Sequence, residues 1–201
     1  MKLKNFLLCS AVIAGLMMVV IPVAYASENN NFFVKNQEVV DSVKQAEYEA
    51  QMRDSLEQML LDSVYDYVER RSPKMAPVVS EIMVDAALEK DFDICFMMAQ
   101  TLIETAFGEC GVGQSRKSIF GVKKAYKTYE DCIYKYVDLV QNNYLGEDKT
   151  VDDLLENYVT VGGARYCTNR SYEAKLRKAY DRIVENTQIK RIQDELRELM
   201  D

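Results

Sequence analysis

A chain of 201 residues with 48% hydrophobic content is long enough for one domain with its own core. Its 32 acids against 25 bases, a net charge of -7, exclude the basic footprint of a nucleic-acid binder. The absence of histidine excludes histidine-activated nucleophiles and histidine-ligated zinc; no CxxC spacing occurs, and no metal or cofactor is expected.

Lys2 and Lys4 precede an apolar run from Phe6 to Val23, and Ala24-Tyr25-Ala26 follows. That order of features is a secretory leader with a signal-peptidase site. Residues 1–26 are expected to be removed, leaving Ser27 as the mature start, with export through the Sec pathway to the periplasm or the extracellular space. A retained membrane anchor is the rival reading, against which Pro22 and the small-residue site weigh.

Residues 27–72 read as a polar leader and a long helix. No proline or glycine interrupts Glu38 to Arg71, and Val39, Val43, Ala46 and Ala50 recur at helical spacing, as do Leu56, Leu60, Val64 and Tyr67. Ser72-Pro73 ends it. A second helix is expected over residues 77–89. Asp93 is placed to cap a third, from Ile94 to about Phe107. Gly108, Gly111 and Gly113 mark a loop, and Ser118 to Lys123 a short strand or extended turn. Thr128-Tyr-Glu-Asp131 has the form of a capping box opening a helix to about Tyr144. Short helical spacing follows at residues 150–158, then a loop at 159–169, then one long helix over 172–200. The class is mainly α.

Four cysteines remain after the leader: Cys95, Cys110, Cys132 and Cys167. An even count in an exported chain predicts two disulfides, with three pairings open. The alternative for Cys95 is a small buried hydrophobe.

The third helix holds the informative residue. Ile94 to Ala99 is apolar on every side, which marks a buried helix. Gln100, Thr101, Glu104 and Thr105 then share one face, and Glu104 is the only charge between Asp93 and Glu109. Apolar neighbours and the negative end of the helix dipole both disfavour an ionised Glu104. A carboxylic acid that keeps its proton near neutral pH suits a glycosidase general acid. The alternatives are a solvated Glu104 or one paired with Lys123.

Ala99-Gln-Thr-Leu-Ile-Glu104-Thr-Ala-Phe-Gly108, followed by Lys117-Ser-Ile-Phe-Gly-Val-Lys123 and Tyr166-Cys-Thr-Asn-Arg-Ser-Tyr172-Glu-Ala-Lys-Leu176, resembles the bacterial glucosaminidases of glycoside hydrolase family 73, three motifs in order. The resemblance implies a lysozyme-like helical domain over residues 73–186 with a reduced β-lobe, and a C-terminal helical extension at 187–201. It implies cleavage of β-1,4 bonds in the glycan strands of peptidoglycan as an endo-beta-N-acetylglucosaminidase, with muramidase activity the lesser option. Glu104 falls on the family's general acid and Tyr166 on the tyrosine beside the scissile sugar. Gln100, Phe107, Phe120 and Tyr172 are substrate-binding candidates, and core packing is the competing role for the aromatics. Within this fold a Cys110–Cys167 bridge would staple the cleft walls, and Cys95–Cys132 would tie two core helices.

The chain also departs from the family. Phe107 stands for the usual Trp, Asn169 for an Asp, and the hairpin that commonly offers a second carboxylate is nearly absent. Glu130 and Asp131 are the nearest acids in sequence. Inverting, retaining and substrate-assisted routes therefore stay open, and the shortened lobe leans toward the last. A different class of function is a non-catalytic lysozyme-fold module of an envelope assembly. The stripes at 39–67 and 192–199 are spaced to dock an envelope partner or a second copy, or to pack on the domain itself. The basic residues Arg116, Lys117, Lys123 and Lys124 either meet anionic glycan or are simply solvated.

Overall fold

The structure, a computed structural model, describes residues 30–169 and 171–200, with side chains from residue 39. The leader expected at 1–26 lies outside the described residues. Helix α1 spans Asn30–Glu69, α2 Ala76–Glu89, α3 Ile94–Thr105 and α4 Val112–Arg116. Helix α5, Tyr129–Val140, runs on into a π-turn at Gln141–Leu145; α6 is Val151–Glu156, α7 Tyr172–Asn186 and α8 Ile189–Glu198. One isolated antiparallel bridge, Val159 to Arg165, is all the β-structure among the described residues. The fold is mainly α and lysozyme-like, with a reduced β-lobe. No helix among the described residues is long and apolar enough to cross a membrane.

The described residues divide into two units, with the boundary between Glu47 and Tyr48. In the first, Val39, Val40 and Val43 are exposed among the described residues. In the second, the lower half of the same stripe is core: Leu60, Val64 and Val68 have no exposed surface.

Helix α3 is the centre of the second unit. Every residue from Ile94 to Ala99 is fully buried, as an all-round apolar helix requires. Asp93 caps it, accepting from the Phe96 amide at 2.9 Å. The same carboxylate accepts from the Tyr180 hydroxyl at 3.1 Å, which fixes α7 against the start of α3. The Ile94 amide, an orphan donor of the first turn, finds Gln193 Oε1 at 3.2 Å, and Gln193 Nε2 donates to the Phe92 carbonyl at 2.7 Å. The C-terminal stripe thus packs on the domain through Ile192 and Leu196, which are buried.

Three segments differ from the sequence expectation. Residues 112–116 are a short helix rather than loop, because Gly113 lets two backbones meet: a Cβ there would lie 2.6 Å from Gly108 Cα. The single helix expected over 172–200 breaks at Thr187, which is extended at φ -139°, and its hydroxyl accepts from the Ile189 amide at 3.3 Å to start α8. Thr128 caps α5 through the Asp131 amide at 2.9 Å, but the reciprocal half of the box is replaced by an Asp131–Lys135 ion pair at 2.6 Å. The stretch at 118–123 is the extended turn rather than a strand.

The expected disulfides Cys110–Cys167 and Cys95–Cys132 are not formed; all four cysteines are free thiols. Cys95 and Cys132 behave as small buried hydrophobes. Burial raises both thiols, Cys132 to about 11, which leaves them unreactive.

Candidate active site

Glu104 sits in the last turn of α3, half-buried. The helix cannot continue past Thr105, because Ala106 and Phe107 both take left-handed backbone, at φ 49° and 58°. Two non-glycine residues in that region cost about 1–2 kcal/mol each. Compensation comes from the Phe107 amide reaching back to the Thr101 carbonyl at 3.1 Å, and from the Phe107 ring, fully buried and edge-on to Tyr67 at 6.2 Å. Thr105 then ties the helix end to the 118–121 turn, donating its hydroxyl to the Ile119 carbonyl at 2.6 Å.

That turn brings Gly121 against the acid. A Cβ on Gly121 would lie 2.2 Å from Glu104 Oε2, and its φ of 71° is itself a glycine conformation. On the other oxygen, the Tyr172 hydroxyl donates to Oε1 at 2.6 Å. Glu104 is therefore neither free in solvent nor paired with Lys123. Burial raises its pKa above the ordinary carboxylate value, and the Tyr172 hydrogen bond partly opposes the rise. Burial, with Tyr166 and Glu104 nearby, pushes the Tyr172 phenol far up, so it stays a donor.

Tyr166 reaches the same place from the short turn between Tyr158 and Arg165. Its amide donates to the Tyr158 carbonyl at 2.8 Å, and an ion pair of Arg165 with Glu173 locks the segment to α7. The Tyr166 ring stacks on Tyr158 at 4.4 Å and lies 5.4 Å from Tyr172. Its hydroxyl donates to the Phe120 carbonyl at 3.2 Å. The π-turn after α5 adds Tyr144, edge-on to Tyr166 at 5.9 Å. Glu104 thus faces a wall of tyrosines whose hydroxyls are protonated.

Three of the substrate-binding candidates stand behind this wall. Phe120 is buried and stacked on Tyr136 at 3.5 Å, so core packing is its role in this structure, as it is for Phe107. Gln100 is fully buried and accepts from the Tyr136 hydroxyl and from the Tyr158 hydroxyl at 3.1 Å, and its side chain also hydrogen-bonds the Tyr166 phenol. These residues shape the site without offering surface to a sugar. Tyr172 is nearly buried and spends its hydroxyl on Glu104.

Among the described residues, no acid hydrogen-bonds Glu104, and its raised pKa reflects burial opposed by the Tyr172 hydrogen bond. Glu130 is exposed, and Asp131, held below the ordinary range by Lys135, is committed to that ion pair. The sequence reading missed Gly121, Tyr172 as the direct partner of Glu104, and the tyrosines 136, 144 and 158. Only the abundance of tyrosine, 13 in the chain, hinted at the last group.

A lysozyme-like helical domain with one half-buried carboxylic acid, held at the end of a core helix beside a tyrosine wall, defines the class as a glycosidase scaffold. The chain belongs to the Glucosaminidase family: the model of that family, described as mannosyl-glycoprotein endo-beta-N-acetylglucosaminidase, matches residues 80–185, just over half of the chain. It is accordingly a glycoside hydrolase, and Glu104, Gly121, Tyr166 and Tyr172 all lie inside the matched span. A comparison with curated proteins found no match.

Proposed function

We propose that the chain is an exported endo-beta-N-acetylglucosaminidase that cuts β-1,4 bonds of peptidoglycan strands, with Glu104 as general acid. The observation that carries this reading is the Glu104 environment: a carboxyl with raised pKa, oriented by Tyr172 and backed by Gly121. Protonated Glu104 donates to the leaving glycosidic oxygen as the bond to the anomeric carbon breaks. The positive charge that develops on the sugar then needs a nucleophile. Among the described residues no acid shifts the Glu104 carboxyl, so the substrate's own N-acetyl oxygen supplies it, and water later opens the cyclic intermediate. Tyr166, a raised-pKa phenol beside the site, orients the N-acetyl group or the water.

Product analysis tests this. Residues 27–201, wild type and Glu104→Gln, are incubated with peptidoglycan, and new reducing ends are reduced with borohydride and identified by mass. Glucosaminitol ends from wild type, reduced about 10²–10⁴-fold in Glu104→Gln, are expected. Muramitol ends would make the enzyme a muramidase on the same acid. No ends from folded protein that still binds the polymer would favour a non-catalytic envelope module. Glu130→Gln and Asp131→Asn are expected to keep most activity; a loss equal to that of Glu104→Gln would remove the case for substrate assistance.

A further inference from the structure

The loop that presses Gly121 against Glu104 is also the most cationic stretch of an acidic protein. Arg116, Lys117, Lys123, Lys124 and Lys127 are all exposed, and no acid lies between residues 116 and 127. The backbone gathers them. The Tyr126 amide donates to the Arg116 carbonyl at 2.9 Å, the Arg116 guanidinium donates to the Lys123 carbonyl, and Lys117 Nζ donates to the Lys127 carbonyl at 2.7 Å. Both arms of the loop thus lie side by side. Among the described residues, none of the five cations forms a salt bridge with a carboxylate. Asp131 feels Lys124 but is already paired with Lys135.

Concentrating five like charges has a cost in mutual repulsion, and the net charge of -7 places the compensating acids elsewhere on the chain. Lys123 follows Gly121 by two residues, so its backbone is within about 7 Å of the backbone that touches Glu104. The cationic loop is thus contiguous with the backbone that touches the acid.

We propose that this loop is a subsite for the carboxylates of the peptide stems that branch from the glycan strand. This rests on the hydrolase reading above. Stem carboxylates recur along the strand while the sugars themselves are neutral, so the loop would select stem-bearing polymer and set its register at Glu104. Being exposed, these contacts act through KM and are screened by salt.

The test uses two polymers: peptidoglycan freed of wall phosphate polymers, and the same material with its carboxylates converted to amides. The proteins are residues 27–201, wild type and the double variant Lys123→Glu/Lys124→Glu. On native polymer at low salt the variant is expected to raise KM about tenfold with kcat unchanged, and added salt to raise wild-type KM similarly. On amidated polymer, variant and wild type should match. Equal KM on native polymer would overturn the proposal, as would an equal loss on both polymers, which would mean contact with the sugars. An effect seen only when wall phosphate polymers are left in place would move the site to phosphate and also overturn it. If wild type cuts neither polymer, the hydrolase reading fails, and co-sedimentation with the same two polymers still decides the proposal by the same comparison.

Discussion

At the residue scale, Glu104 holds two opposed demands. Its burial keeps a proton available for chemistry and makes the ionised form unwelcome in the fold. Because its folded pKa is raised, the folded state binds the proton more tightly than the unfolded chain does. The resulting stability is fully present below the ordinary carboxylate pKa and is lost as pH rises through the raised value. Glu104→Gln removes that loss. Its Tm, followed by circular dichroism, is expected to exceed that of wild type at pH 8 and to match it near pH 4. A variant less stable than wild type at pH 8 would mean that the carboxylate form is well solvated or paired. Tyr172 and Gly121 contact this group from chain positions 68 and 17 residues away. Glu104 itself was legible in the sequence as a lone charge on an apolar helix. Its partners were not, because tyrosine and glycine carry no periodic signal of where they will point. For the same reason the sequence leaves Phe107 and Phe120 open between sugar contact and core packing, and Gln100 a substrate-binding candidate: an aromatic or amide in a cleft motif reads alike whether it faces the ligand or backs the wall.

At the element scale, helices with uninterrupted periodicity and clear caps were legible. Asp93 and Thr128 cap the helices expected of them. The break at Thr187 was hidden because neither proline nor glycine marks it, and apolar spacing resumes in the same chain direction. The short helix at 112–116 was hidden for the opposite reason: Gly111 and Gly113 suggest loop, while the structure uses Gly113 for a close backbone approach to Gly108. The turn at 118–121 matters most for the proposed chemistry, since it seats Gly121 on Glu104. In Gly121→Ala the new Cβ must displace the carboxyl, and φ of 71° disfavours it further. A misplacement of this size is expected to lower kcat by about 10²-fold. The checking measurement is turnover on peptidoglycan, with circular dichroism confirming that the helices persist. Unchanged kcat would show that the Glu104 position tolerates movement.

At the scale of the whole molecule, the core holds together without covalent links. Fully buried residues from α1, α2, α3, α5, α7 and α8 form one cluster, and the cysteines within it are free thiols. The paired-cysteine expectation came from counting and from the proposed exported state, neither of which sees burial. Thiol titration of residues 27–201 is expected to find four thiols after unfolding. In the native protein Cys110 should react readily, and Cys95 and Cys132 not at all. Two thiols or none after unfolding would mean that the protein carries disulfides. The proposed activity is also a property of the whole, since it calls on α3, the 118–121 turn, the Tyr166 segment and α7 in one arrangement. The most direct check is the pH dependence of kcat/KM on peptidoglycan, overlaid on the titration of a ¹³C-labelled Glu104 carboxyl in the free enzyme. Activity should fall as pH rises through the titrated value, and that value should lie above the ordinary carboxylate range. In Tyr172→Phe, which loses the hydrogen bond that favours the carboxylate, both curves should move together to higher pH. A Glu104 that titrates as an ordinary carboxylate, or an alkaline limb that stays in place while the titration moves, would contradict its role as the general acid.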